Sequence, residues 1–149
     1  MRIIDANVLL YAVNKRSPHH VTAKAWLDGA LSGRETVAFA WVVLLAFIRL
    51  ATHPRVFPNP LPPADAISIV KAWLAQPTAV VIAAGDRHPD VLEALLTELG
   101  AGGNLVNDAH LAALALEHDG EVVSFDSDFA RFAEVRWSAP GTHADDEDG

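Results

Sequence analysis

Four aspartates stand where a carboxylate could do chemistry. Asp5 ends a β-prone opening segment, Asp108 opens a helical stretch after a glycine turn, and Asp126 and Asp128 follow a late β-prone segment. In an open α/β sheet, ligands bind beyond the carboxyl ends of the strands, so acids far apart in the chain can meet at one edge. Clustered carboxylates repel and raise each other's pKa, a cost that a divalent cation relieves. An all-oxygen set suits Mg²⁺ or Mn²⁺ rather than Zn²⁺. A cation so held can polarise a phosphodiester and activate an attacking water. Taken singly, each acid also has a plain structural reading as a strand end, a turn residue or, for Asp108, a helix cap. Their shared place at strand ends is what points to a site.

Other constellations fall short. Gly100, Gly102 and Gly103 lack the spacing of a phosphate-binding loop, and no Lys-Ser/Thr pair follows them. There is no Gly-x-Ser-x-Gly elbow, so Ser124 reads as structural. The seven histidines form no His-Glu-x-x-His pattern. His19 and His20 open a helix and read as solvated, and His110 stands at i+2 from Asp108, on a different helix face. Trp26, Trp41 and Trp73 lie on apolar helix faces and read as core or subunit interface.

The elements that must position these acids follow from periodicity and breakers. Strands are expected at residues 2–5, 36–39, 79–83 and 121–125, with a fifth at 134–137. Helices are expected at residues 6–13, 19–31, 41–52, 64–75, 89–99 and 107–118, the last capped by Asn107 or Asp108. Five prolines between Pro54 and Pro63 make a rigid loop inside the domain. Strands alternating with helices predict an α/β fold with a mainly parallel sheet covered on both faces.

The 149 residues suit one domain. Residues 1–138 form it, and residues 139–149 read as an acidic, disordered tail. Without cysteine there is no disulfide scaffold, cysteine nucleophile or thiolate metal site. The net charge is −8, and still −4 without the four acids among residues 145–148. Binding nucleic acid by bulk attraction needs a basic face, so that mode is disfavoured, whereas holding phosphates through bound cations is not. The longest apolar run, residues 37–48, is too short to span a bilayer, and Met1-Arg2-Ile3-Ile4-Asp5 puts a charge where a signal peptide would need its apolar stretch. The expectation is a cytoplasmic protein without membrane association.

Three stretches carry a resemblance. Residues 3–10 (Ile-Ile-Asp-Ala-Asn-Val-Leu-Leu), the helix opening at Asn107 and Asp108, and residues 123–132 (Val-Ser-Phe-Asp-Ser-Asp-Phe-Ala-Arg-Phe) resemble, in order and spacing, the acidic motifs of PIN-domain nucleases. Within that family the chain is most similar to VapC-type toxins of bacterial type II toxin–antitoxin systems, and residues 49–57 are similar to one subgroup of them. The resemblance implies a PIN-like α/β/α sandwich with about five strands and a metal-dependent endoribonuclease. Asp5, Asp108 and Asp126 would ligate Mg²⁺ or Mn²⁺. Asp128 would be a further acidic wall or a substitute ligand, and Asn7 a small polar residue beside the metal. It also implies a homodimer inhibited by a VapB-type antitoxin. Arg49, Arg55, Lys15, Arg16 and Arg131 are candidates to hold RNA phosphates.

One position departs from the family pattern. The family carries a glutamate three residues before the arginine that matches Arg49, and here that position is Ala46. No acid lies between Glu35 and Asp65 to replace it. Asp128 substitutes, the metal binds more weakly, or activity is lost. The rival reading is thus a PIN-fold binding module that keeps the antitoxin surface without the chemistry. A phosphatase-like or receiver-like domain fits less well, since Asp5-Ala6-Asn7 lacks the second aspartate of the aspartyl-phosphate motif.

Overall fold

The computed structural model describes residues 1–142. Five strands form one sheet: β1 (Arg2–Ile4), β2 (Val37–Ala40), β3 (Ala79–Ile82), β4 (Glu121–Val123) and β5 (Trp137–Ser138). Six α-helices connect or flank them: α1 (Ala6–Val13), α2 (His20–Leu31), α3 (Trp41–Ala51), α4 (Pro63–Leu74), α5 (His88–Leu99) and α6 (Val106–Glu117). The strand order is β3-β2-β1-β4-β5, and every pairing is parallel.

The short strands are apolar on both faces because helices cover both faces. All four residues of β2 are buried, and Ile3, Ile4, Val122 and Val123 are fully buried. Phe39, Phe47, Phe129 and Phe132 are the largest fully buried side chains. Trp73 packs on Phe47 and Phe39, with ring centroids at 4.8 and 6.3 Å. Trp41, at the exposed start of α3, is not core: it is half exposed. The proline loop returns to the domain through buried Phe57 and a Leu61 N–H bond to the Ala51 carbonyl. No helix among the described residues is long and apolar enough to cross a membrane.

Three local expectations need correction. The fifth strand is Trp137–Ser138, not residues 134–137, because its register against β4 pairs Val122 with Trp137 and Val123 with Ser138. The residues before it are held in a turn by the Val135 N–H bond to the Phe132 carbonyl. The fourth strand ends at Val123; the Ser124 N–H still bonds the Ser138 carbonyl of β5, and Phe125 lies beyond the ladder. Neither Asn107 nor Asp108 caps α6: a short 3₁₀ turn, Gly103–Leu105, leads into the helix at Val106, and both residues lie in its first turn. Residues 139–142 close a turn with Pro140 buried and the Thr142 N–H bonded to the Ala139 carbonyl. The acidic stretch from Asp145 to Asp148 lies outside the described residues.

The topology places the site. From β1 the chain crosses to β2 and β3 on one side and then returns to β4 on the other. The order therefore reverses between β1 and β4, where the connections diverge and leave a crevice beyond the strand ends.

Candidate metal centre

β1 passes into α1 through a single residue, Asp5, the N-cap of the helix. Its Oδ1 accepts the Ala6 N–H at 2.8 Å, and its Oδ2 accepts the Ser124 hydroxyl at 2.7 Å. Ser124, just past β4, is fully buried. Its Oγ also accepts the Asp126 N–H at 3.0 Å and an Asn7 Nδ2–H at 3.0 Å. One hydroxyl donor and two acceptor positions are thereby all used. Asn7 completes the tie by accepting the Phe125 N–H at its Oδ1, at 3.1 Å. Ser124 is structural, as read from the sequence, but what it holds in place is the site, since its hydroxyl bridges Asp5 to the backbone of Asp126. Only the fold reveals that role, because the partners are 119 and 117 residues away.

Asp126 caps the 3₁₀ turn Ser127–Arg131 through its Oδ1, which accepts the Asp128 N–H at 2.9 Å. This turn swings Asp128 back toward the crevice. Asp108 arrives from the first turn of α6, freed from capping. Carboxylate oxygens of Asp108, Asp126 and Asp128, one from each, lie within 4.8 Å of one another. Asp128 therefore stands level with Asp108 and Asp126 rather than behind them. Asp5 is outside that tightest group but adjoins it, its carboxylate tied to Ser124.

The electrostatics register the crowding. Burial pushes the Asp5 carboxyl up, the Ser124 and Ala6 hydrogen bonds oppose the shift, and the charge of Asp126 adds to it. Asp108 is pushed from 3.8 up to about 6, first by burial and then by the charges of Asp126, Asp5 and Asp128. These residues fit a hard divalent cation. Every donor is oxygen, and octahedral ligands around Mg²⁺ lie about 3–4 Å apart, a spacing that oxygens already within 4.8 Å of one another can reach. Arg131 is the near cation, 3.5 Å from Asp128, in a solvent-exposed pair worth little.

Beside the acids a cleft of about 360 Å³ is lined by Asp5, Asp108, Ala46, Arg49, Val42 and Asn107, among others. Ala46 and Arg49 are i and i+3 on α3, so they share the helix face turned to the carboxylates. A larger cleft, of about 650 Å³ and lined mainly by α5 and α6 residues, includes none of the four aspartates. His110 turns from the site, as its helix position predicts, and its Nδ1 pairs with His88 Nε2 at 2.8 Å. His88 Nδ1 in turn meets Glu117 at 2.6 Å, a buried tie between α5 and α6 that the sequence did not announce.

A stability prediction follows from the sign of the Asp108 shift. A raised pKa means that the folded state prefers the protonated carboxyl. Its stabilising contribution is full below pH 3.8 and is lost as pH rises through about 6. Asp108→Asn keeps the shape without the charge. It should raise the melting temperature of the metal-free protein at pH 7.5 by about 2–4 °C, corresponding to ~1 kcal/mol once the shift is discounted for a half-exposed group. The gain should vanish at pH 3.5. Thermal unfolding across this range checks it, and equal melting at pH 7.5 would refute the repulsion.

With this geometry in place, comparison with known proteins is direct. The PIN domain family profile matches residues 2–135. Ribonuclease VapC37 of Mycobacterium tuberculosis is 60% identical over 140 residues, spanning 94% of this chain and 97% of that protein. Ribonuclease VapC33 of the same species is 44% identical over 140 residues, 94% of this chain and 98% of that protein. Among solved structures, VapBC2 from Rickettsia felis bound to a promoter DNA fragment aligns with a TM-score of 0.68 at 18% identity, covering 93% of this chain and 97% of that one. Mycobacterium tuberculosis VapC20, described as a sarcin-ricin loop cleaving toxin, aligns with a TM-score of 0.65 at 21% identity, covering 91% and 99%. At these identities the two structures establish likeness of fold alone.

Proposed function

The chain belongs to the PIN-domain family and, within it, to the VapC ribonucleases, and from that membership we propose that it is the toxin of a bacterial toxin–antitoxin pair. It is an endoribonuclease that hydrolyses RNA phosphodiester bonds with Mg²⁺ or Mn²⁺ and is neutralised by a VapB-type antitoxin. The observation that supports this most is the convergence of Asp108, Asp126 and Asp128 beside Asp5 at the reversal of strand order.

In this reading Asp5, Asp108, Asp126 and Asp128 hold the cation. When bound, such an ion supplies Lewis-acid polarisation of the phosphodiester and activation of water for in-line attack. Ser124 and Asn7 hold Asp5 and the backbone at Asp126 in place before substrate arrives. Preorganisation of this kind keeps the cost of ordering the site out of the reaction. Arg49, on the exposed rim of the same cleft, binds a backbone phosphate and sets the register of the strand. The protein acts in the cytoplasm as a homodimer, and exposed Trp41, Val42 and Leu45 on α3 support an apolar protein interface.

A second reading rests on Ala46. With no carboxylate on that face of the cleft, the chain would be a weakened nuclease that keeps only antitoxin binding. One experiment separates the two: purified protein with RNA, with and without chelator. The ribonuclease reading expects cleavage that chelator abolishes and added Mg²⁺ or Mn²⁺ restores, with a distinct set of new RNA ends on sequencing. Intact RNA under all conditions would leave the binding module.

A further inference from the structure

Three aromatic rings pack together around Phe125, the residue between Ser124 and Asp126, and none of the chemistry above uses them. Tyr11 on α1, His19 before α2 and Phe125 after β4 form a closed triangle. The ring centroids are 4.8 Å apart for His19 and Phe125, and 5.3 Å for Tyr11 with each of the other two. The His19 and Phe125 planes are inclined by 33°, a tilted contact. Tyr11 and Phe125 are half-buried, while His19 is exposed. The imidazole therefore packs on the other two rings while His19 stays exposed to solvent. His19 is thus not simply a solvated helix-start residue.

The triangle is built onto the site. Phe125 is the residue between Ser124 and Asp126, one Cα step of about 3.8 Å from each. Its N–H is held by Asn7, and Tyr11 follows Asn7 by one turn on the same face of α1. The loop carrying His19 is ordered by short-range bonds. The Asn14 side chain accepts the Arg16 N–H, the Ser17 Oγ accepts the His19 N–H, and both bonds are 3.1 Å. His20 is also engaged, its Nδ1 2.9 Å from the Tyr11 carbonyl oxygen. Lys15 and Arg16 on this loop are exposed, and among the described residues neither forms an ion pair.

Here an exposed imidazole packed on two rings shares a loop with two exposed cations, and one of those rings belongs to the residue between Ser124 and Asp126. We propose that Tyr11, His19 and Phe125 form a stacking platform for an unpaired nucleobase flanking the scissile phosphate, with Lys15 and Arg16 holding the adjoining RNA backbone. Proteins recognise single-stranded RNA by stacking splayed-out bases on aromatic side chains and tracking the backbone with basic ones. The platform explains how an acidic protein holds RNA without a basic face, and it selects single-stranded over duplex substrate. This inference rests on the ribonuclease reading.

The test compares the full chain with His19→Ala and His19→Phe on a labelled single-stranded RNA oligonucleotide of mixed sequence, measuring KM and kcat separately. For His19→Ala, KM should rise about tenfold and carry most of the loss, and His19→Phe should recover most of it, because stacking needs a ring and not an imidazole nitrogen. An unchanged KM in His19→Ala, or a His19→Phe variant as weak as His19→Ala, overturns the platform while the nuclease assignment stands. RNA left intact by the wild-type protein with Mg²⁺ or Mn²⁺ overturns both.

Discussion

Replacing Asp126 with asparagine lowers RNA cleavage by at least about 100-fold while the domain keeps its fold, the combined expectation of charge loss and cap retention. Asp126 does two things that this substitution separates. Its Oδ1 caps the 3₁₀ turn by accepting the Asp128 N–H, and its N–H rests on Ser124. Asparagine retains a side-chain oxygen for the first, and the second is backbone. What disappears is one negative charge at the centre of the group formed with Asp108 and Asp128. Cleavage assays at saturating metal, paired with thermal unfolding, measure both halves. Retained cleavage would refute the placement of the cation among these carboxylates. Asp5→Asn should also lose cleavage, since Asp5 contributes a charge to the same field. Unlike Asp126→Asn, it also removes a carboxylate oxygen that accepts the Ser124 hydroxyl, so it loosens the tie between Asp5 and the backbone of Asp126.

Ala46→Glu should tighten Mn²⁺ or Mg²⁺ binding at pH 7.5 by about tenfold, the effect of ~1.4 kcal/mol from a full charge placed near the cation. The position is right for it. Ala46 lines the cleft that Asp5 and Asp108 line, half-buried and facing them from α3. Arg49 on the same face can orient the new carboxylate. Without metal the substitution acts in the opposite direction, since it adds one more charge to a cluster where burial and then the neighbouring carboxylates already push Asp108 up to about 6. The melting temperature should fall in chelator and recover on adding metal, so the gap between the two conditions widens. Metal titration by calorimetry reads the affinity directly. Affinity equal to wild type would show that Ala46 does not face the cation. A gain in affinity accompanied by faster cleavage at limiting metal would show that the missing carboxylate had weakened the native site.

The two substitutions probe opposite sides of one balance. The carboxylates that make the crevice attractive to a cation also destabilise the metal-free fold, so Asp108→Asn should stabilise it and Ala46→Glu should destabilise it. Functional sites commonly carry strain of this kind, and the rest of the fold sustains it. Here the sustaining part is the parallel sheet with its fully buried aliphatic and phenylalanine core.

Much of this was readable in the chain. Alternating β-prone and helical stretches gave the α/β class, and all six helices stand where periodicity placed them, to within a residue or two. Asp5, Asp108 and Asp126 were legible as candidates because each follows a β-prone stretch or opens a helical one. Ser124 and His19 were read as a structural residue and a solvated one, since nothing in their neighbours along the chain shows a hydroxyl bridging two distant acids or an imidazole packed on Phe125. The cap assigned to Asn107 or Asp108 failed because a 3₁₀ turn starts α6 at Val106. That early start leaves the Asp108 carboxylate free to join the cluster.

The order of residues along the chain was enough to specify which elements form and which acids stand at their ends, because hydrophobic period and turn chemistry act over a few residues. Folding alone decided that the chain reverses its strand order between β1 and β4. That reversal places Asp128 level with Asp108 and Asp126, makes Ser124 the bridge, and packs three rings together around Phe125. These are contacts between residues up to 119 apart, and they exist only once burial of the core brings the strand ends to one edge.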